Sequence, residues 1–188
     1  MLAQISNTMA QGGAGTNVCL GLNQANSILF GAGHHTQANT LRFVVILTDG
    51  NNTYNNASWG NGQPPVACRP ITDPTQSDSY LGTSCMSAET RERELDTKTK
   101  AMADSIKATG VEVYIVGFGV CGTPSAAFCD TSKVGNTDHD DTRNRNLLKC
   151  VASSHAGTND HYFEVASASS LPSIFQQIAG QIAFRLIE

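Results

Sequence analysis

The chain has 188 residues, 40% of them hydrophobic and only 15% charged, with a formal net charge of −4. Those figures fit one domain with a packed core and exclude wholesale disorder. No Lys/Arg run is present, so nucleic acid is not an expected partner, and no apolar stretch reaches the ~18 residues needed to cross a bilayer. Met1–Gln11 also lacks the basic start and long apolar middle of a signal peptide.

In chain order, Leu2, Ile5 and Met9 share a stripe that reads as the tail of a helix. The glycine-rich loop Gly12-Gly13-Ala14-Gly15-Thr16-Asn17 follows. Val18, Leu22, Ala25 and Leu29 then recur at helical spacing, with Thr16 or Asn17 as cap and Gly31 and Gly33 as stop. Leu41–Leu47 reads as a strand buried on both faces, as in a parallel sheet, and it runs into Thr48-Asp49-Gly50. Residues 51–87 are rich in Gly, Asn, Ser and Pro and show no period, which predicts a long loop. A helix is expected over Ser87–Thr109, striped by Leu95, Met102 and Ile106. Its charges from Glu89 to Lys100 alternate in sign, as on a solvated face. Gly110 stops it, and Val111–Phe118 is the second strand. Gly117 and Gly119 suit close packing at that strand's end. The loop over 120–142 precedes a short helix, Arg143–Ser153, and a third strand, His161–Val165. A last helix places Leu171, Ile174, Phe175, Ile178, Ile182 and Leu186 on one face, with Ser169 and Ser170 as cap candidates. Strands alternating with helices predict an α/β fold with a parallel sheet.

Six cysteines are present and none forms a C-x-x-C pair, which argues against zinc ribbons and thioredoxin-like chemistry. Cys68 and Cys85 bracket one loop, and Cys121 and Cys129 another. With Cys150, these are the candidate disulfide cysteines, suited to an oxidising compartment. Buried free thiols are the alternative, and the pairing is left open.

The chemistry-bearing residues are few. Thr16 offers a hydroxyl from a glycine-rich loop at a helix start, and Asp49 a carboxylate at the end of an apolar strand. Open α/β sheets bind ligands at that end, and the pair suits a divalent cation held by oxygens. Gly15, Asn17, Gly50 and Asn51 flank it as loop candidates. Asp73-Pro74-Thr75-Gln76-Ser77 is read as an ordinary turn, and Asp138-His139-Asp140-Asp141 as an exposed polar loop. His34-His35 is read as a surface turn. His155 and His161 flank Gly157 without a partner pattern. Ser153-Ser154-His155 is not a hydrolase elbow, and neither a Walker loop nor a dinucleotide fingerprint follows a strand.

GGAGTN at 12–17, FVVILTDG at 43–50, VEVYIVGFG at 111–119 and HYFEVASASSLPSIFQQIAGQI at 161–182 together resemble a von Willebrand factor type A (vWA) domain. More narrowly, Leu147-Leu148-Lys149-Cys150-Val151-Ala152-Ser153-Ser154, Tyr162-Phe163, Phe175-Gln176-Gln177-Ile178-Ala179 and Phe184-Arg185-Leu186 are similar to the vWA region of TadG-like proteins of the tight-adherence (Flp) pilus system.

The resemblance implies a Rossmann-like sheet flanked by helices and a metal-ion-dependent adhesion site (MIDAS). That site takes an Asp-x-Ser-x-Ser loop, a Thr and an Asp. Thr16 matches the second element and Asp49 the third, while the first is missing. Residues 1–188 would therefore be a partial vWA-like domain that lacks its first strands and helix, with long loops at about 51–87 and 120–142. Without the neighbouring strand, the strand at 41–47 would lie at an exposed edge. Mg²⁺ or Mn²⁺ is expected in a complete domain and only weak binding in this chain.

The implied function is a non-catalytic binding module of a pilus-assembly or cell-surface protein. Its partners would be a protein presenting an acidic side chain and other pilus-assembly or surface proteins. Its location would be periplasmic or extracellular, anchored through a missing upstream segment. The alternatives are a metal-assisted hydrolase using Asp49 and a vWA domain whose site has lapsed.

Overall fold

The computed structural model describes residues 16–31, 40–48, 66–68, 90–120, 124–135 and 143–185. Helix α1 (Val18–Phe30) leads into strand β1 (Phe43–Thr48). Helix α2 (Thr90–Lys107), strand β2 (Glu112–Phe118), helix α3 (Arg143–Val151), strand β3 (Tyr162–Val165) and helix α4 (Leu171–Arg185) follow. Short 3₁₀ turns lie at Val66–Cys68, Thr131–Lys133 and Ala168–Ser170. The helix expected to reach 109 ends at Lys107 and that expected to reach 153 ends at Val151, while residues 87–89 lie outside the described residues. The expected stripe Leu2/Ile5/Met9, the pair His34-His35 and most of 51–87 lie outside the described residues.

The three strands form one parallel sheet in the order β1-β2-β3, with Val44 opposite Val113 and Ile115 opposite Tyr162. This is the α/β architecture that alternating strands and helices predict. Helices α1, α2 and α3 cover one face. There Val44, Val113, Ile115 and Tyr162 meet Val18, Leu22, Ala103, Ile106, Leu147, Leu148 and Val151. Helix α4 covers the other face at β2 and β3, where Ile178 packs with Tyr114, Val116 and Val165. Central β2 is buried from Val113 to Gly117 and reads as a continuous apolar run for that reason.

Strand β1 departs from its expected burial. Among the described residues it pairs with β2 alone. Val44 and Ile46 face the helices, but Phe43, Val45 and Leu47 are 44%, 37% and 52% exposed. The strand is apolar enough for two covered faces and has one. Alternation of side chains across the pleat puts the three on the α4 side, and Ile178 at the centre of that helix packs on β2 and β3. Helix α4 is also less buried than its stripe suggests. Ile178 is buried and Leu171, Ile174 and Ile182 pack beside it, while Phe175 is exposed. Leu186 lies outside the described residues.

Caps and turns follow the sequence with some substitutions of role. Asn17, not Thr16, caps α1: its Oδ1 accepts from Leu20 N at 2.9 Å. Gly110 stops α2 with φ +82°, a left-handed conformation that an L side chain resists. Gly117 matches the expected close packing, since a Cβ there would lie 2.6 Å from Val120 Cγ2. The charge run on α2 is not wholly solvated. Asp96 is buried beside Leu95, and Thr99 is buried one turn on. Asp104 makes the i,i+4 pair with Lys100 and pairs with Lys107 at 3.2 Å.

The disulfides join other partners than those that bracket the loops. Cys19 on α1 bonds Cys68, and the pair packs with Leu95 between α1 and α2. Cys129 bonds Cys150 on α3. The pairing left open by the sequence is settled for these four where the 3₁₀ turn at Val66–Cys68 and the segment before Thr131 lie against helices α1 and α3; Cys19, absent from the expected disulfide set, is one of the partners. Cys85 and Cys121 lie outside the described residues.

Candidate functional site

Parallel strands give the sheet two distinct rims. Thr48, Phe118 and Val165 end the strands at the carboxyl rim, and Phe43, Glu112 and Tyr162 begin them at the amino rim. The direction of α1 decides where the glycine-rich loop delivers Thr16. The Arg42 guanidinium sits 5.3 Å from the Phe30 ring centroid, so α1 ends beside the start of β1. At ~1.5 Å per residue α1 spans ~20 Å, and β1 at ~3.3 Å per residue spans about the same. The first turn of α1 therefore stands at the carboxyl rim, with Thr16 and Asn17 just ahead of it. Thr48 closes β1 at that rim. Gly15, Asp49, Gly50 and Asn51 lie outside the described residues.

Two polar atoms at this rim are buried without a hydrogen-bond partner among the described residues: Thr48 Oγ1 and Asn17 Nδ2. Burying a hydroxyl or amide unpaired is costly, and such groups mark places where a ligand, ion or water completes the bonding. Asn17 spends its oxygen on the helix cap, which leaves its amide free for something else. Thr16 is relieved of the capping role.

Beside this rim a polar assembly fixes the segment after β2. Arg145, 2% exposed, grips Glu164 with Nε 2.9 Å from both carboxylate oxygens and Nη2 2.6 Å from Oε1. The same Nη2 donates to Val120 O at 2.6 Å. The guanidinium holds the Glu164 carboxyl below the usual carboxylate range, chiefly through those hydrogen bonds. Tyr162 donates to Glu164 at 3.2 Å, and burial beside that carboxylate pushes the phenol up. Lys149 donates to Ser125 O and Ala127 O, both at 2.6 Å, and burial pulls its ammonium down. Asn146 accepts from Asp130 N and donates to Asp130 O, each at 2.8 Å. These bonds and the Cys129–Cys150 disulfide fasten residues 124–130 to α3. These bonds tie the charged groups to protein, and the assembly serves as a scaffold.

The structure brings together one group that the spacing of residues did not. His155 and His161, read separately in the sequence, both meet Asp160 at the amino rim. The signal was a carboxylate next to one histidine and five residues from the other. A tight turn between α3 and β3 was needed to make them one cluster. Ser153 Oγ accepts from Val113 N at 2.9 Å, and Ser154 Oγ from His161 N at 3.2 Å.

Comparison with known proteins gives little. No protein-family model matches the chain. No curated protein matches it either. Among solved structures it is similar to the pilus adhesin SpaC from Lactobacillus rhamnosus GG, at 19% identity and a TM-score of 0.48, over 90% of this chain. The match spans 19% of the adhesin's length. A likeness at this identity and score says nothing of activity. The two disulfides fit an extracellular or periplasmic protein. Among the described residues no helix is long and apolar enough to cross a membrane.

Proposed function

We propose that this chain is a non-catalytic protein-binding module of vWA type, from a cell-surface or pilus-assembly protein, with its site at the carboxyl rim. The observation that carries the reading is the shared rim. Helix α1 begins, and β1 ends, at the same end of one parallel sheet. Thr16 and Asp49 are then the ligand pair, with Gly15, Asn17, Gly50 and Asn51 shaping the loops around them.

The donor chemistry fits Mg²⁺ or Mn²⁺, which take hard oxygen ligands. The unpartnered Thr48 hydroxyl adds a buried oxygen to that rim. The ligand count is low. The sequence contains no Asp-x-Ser-x-Ser, so a hydroxyl and one carboxylate supply a minority of an octahedral shell and water the rest. When bound, the cation would offer an open position to an acidic side chain of a protein partner. Thr16 and Asp49 hold and orient that position, and the flanking loops select the partner by shape. Among the described residues, Arg145, Glu164 and Lys149 are committed to the scaffold beside that rim.

Calorimetric titration of Mg²⁺ and Mn²⁺ tests the reading. Millimolar affinity is expected, lost in Asp49→Ala and weakened in Thr16→Ala. Micromolar affinity would contradict the sparse ligand set, and indifference to Asp49→Ala would remove the site itself. Phosphatase or esterase turnover abolished by Asp49→Ala would turn the reading to a metal-assisted hydrolase. Persistent failure to bind any acidic partner or metal would leave a lapsed domain.

A further inference from the structure

We propose that His155, Asp160 and His161 form a second metal site, at the amino rim, for a borderline transition metal such as Zn²⁺, Ni²⁺ or Co²⁺. It is independent of the carboxyl-rim site and of the vWA reading. The three ligand atoms lie within 4.8 Å of one another. His155 Nδ1 is 2.5 Å from Asp160 Oδ2, and His161 Nδ1 is 2.9 Å from Asp160 Oδ1. Two imidazoles with one carboxylate suit zinc, nickel, cobalt or ferrous iron, and not Mg²⁺ or Ca²⁺, which prefer oxygen.

The site is built, not a chance meeting of surface groups. His161 is 4% exposed, and its ring stacks on Tyr114 with centroids 4.5 Å apart. Asp160 is fixed by His155 N, which donates to Oδ1 at 3.1 Å. His155 is exposed and gives access. The three residues open onto a cavity of about 660 Å³, shared with Tyr114, Gln181 and Arg185. That space leaves room for water or a ligand on the metal.

The tautomer argument carries the proposal furthest. A carboxylate only accepts, so without metal the Nδ1 of His161 must hold the proton it gives to Asp160. In the neutral ring Nε2 is then a bare acceptor, buried with no hydrogen-bond partner among the described residues. Glu112 Oε2, itself an acceptor, lies 3.6 Å from it. With a metal on Nδ1 the proton sits on Nε2 and faces that carboxylate, the arrangement by which proteins orient metal-binding histidines. Glu112 is held in place by Tyr114 OH at 3.0 Å and by Arg185. Gln181 Oε1, also buried and unpartnered among the described residues, lines the same cavity as an acceptor for metal-bound water. Metal binding therefore satisfies atoms that the neutral, metal-free ring strands.

The test is titration of the full chain with Zn²⁺ and Ni²⁺, with Co²⁺ absorption to report direct nitrogen coordination. One equivalent is expected to bind with micromolar affinity, and Mg²⁺ should not compete. His155→Ala removes an exposed ring and should leave the circular dichroism unchanged while weakening affinity about tenfold or more. Asp160→Asn should do the same. Changing His34, His35 and His139 together to Ala should leave binding intact. Equal affinity in the unaltered chain and His155→Ala, or no binding below millimolar metal, would overturn the proposal.

Discussion

Arg145 shows how a single residue can decide where a segment lies. Its guanidinium is buried, makes three bonds to one carboxylate and a fourth to the Val120 carbonyl. Glu164 is partly exposed, so removing Arg145 costs less than the ~3–5 kcal/mol typical of a fully buried pair, and the loss comes mostly from the buried guanidinium's bonds. Arg145→Met should therefore unfold at distinctly lower urea. Glu164 adds a pH signature. Its folded pKa lies below its unfolded value, so the stabilisation is complete above the unfolded pKa of about 4.3 and is lost as pH falls through the folded value. The groups facing it are Arg145, Lys149 and Tyr162. Urea midpoints measured from pH 7 to 3 should fall on the acid side, and Glu164→Gln should flatten that fall. The sequence places Arg145 on a short helix and goes no further. Nothing there named Glu164 as its partner, because the two meet across a helix and a strand.

Among the elements, α1 and α2 depend on a crosslink outside the sheet. The Cys19–Cys68 bond closes a separation of 49 residues and the Cys129–Cys150 bond one of 21. Loop-closure entropy makes these worth about 4 and about 3 kcal/mol in the chain-entropy model. The Cys19→Ala/Cys68→Ala double variant should accordingly lose more stability than Cys129→Ala/Cys150→Ala, read from urea midpoints. The opposite order would show that native-state packing outweighs chain entropy. The sequence placed the four helices and three strands to within a few residues because each carries a periodic stripe or an apolar run. It gave the wrong burial for β1, since an apolar run records what a strand can tolerate and says nothing of what lies over it.

For the molecule as a whole, the parallel sheet separates two chemistries. The proposed carboxyl-rim site would use oxygen donors and the proposed amino-rim site two imidazoles with a carboxylate, a strand length of about 20 Å apart. The two sites share no residue and should not couple. Asp49→Ala is expected to leave Zn²⁺ affinity unchanged, and His155→Ala to leave Mg²⁺ affinity unchanged, in paired titrations. A Zn²⁺ loss in Asp49→Ala would mean that the rims communicate or that one assignment is wrong.

The alternation of helix and strand, the glycine stops and the apolar run ahead of Asp49 were legible from residues alone, because backbone preference and hydrophobic period are local properties. The choice of Asn17 over Thr16 as cap, the disulfide partners, the open face of β1 and the meeting of His155 with His161 were not. Those were decided by which segments the three-layer packing brings side by side, and such juxtapositions depend on distances through space that one-dimensional spacing does not encode.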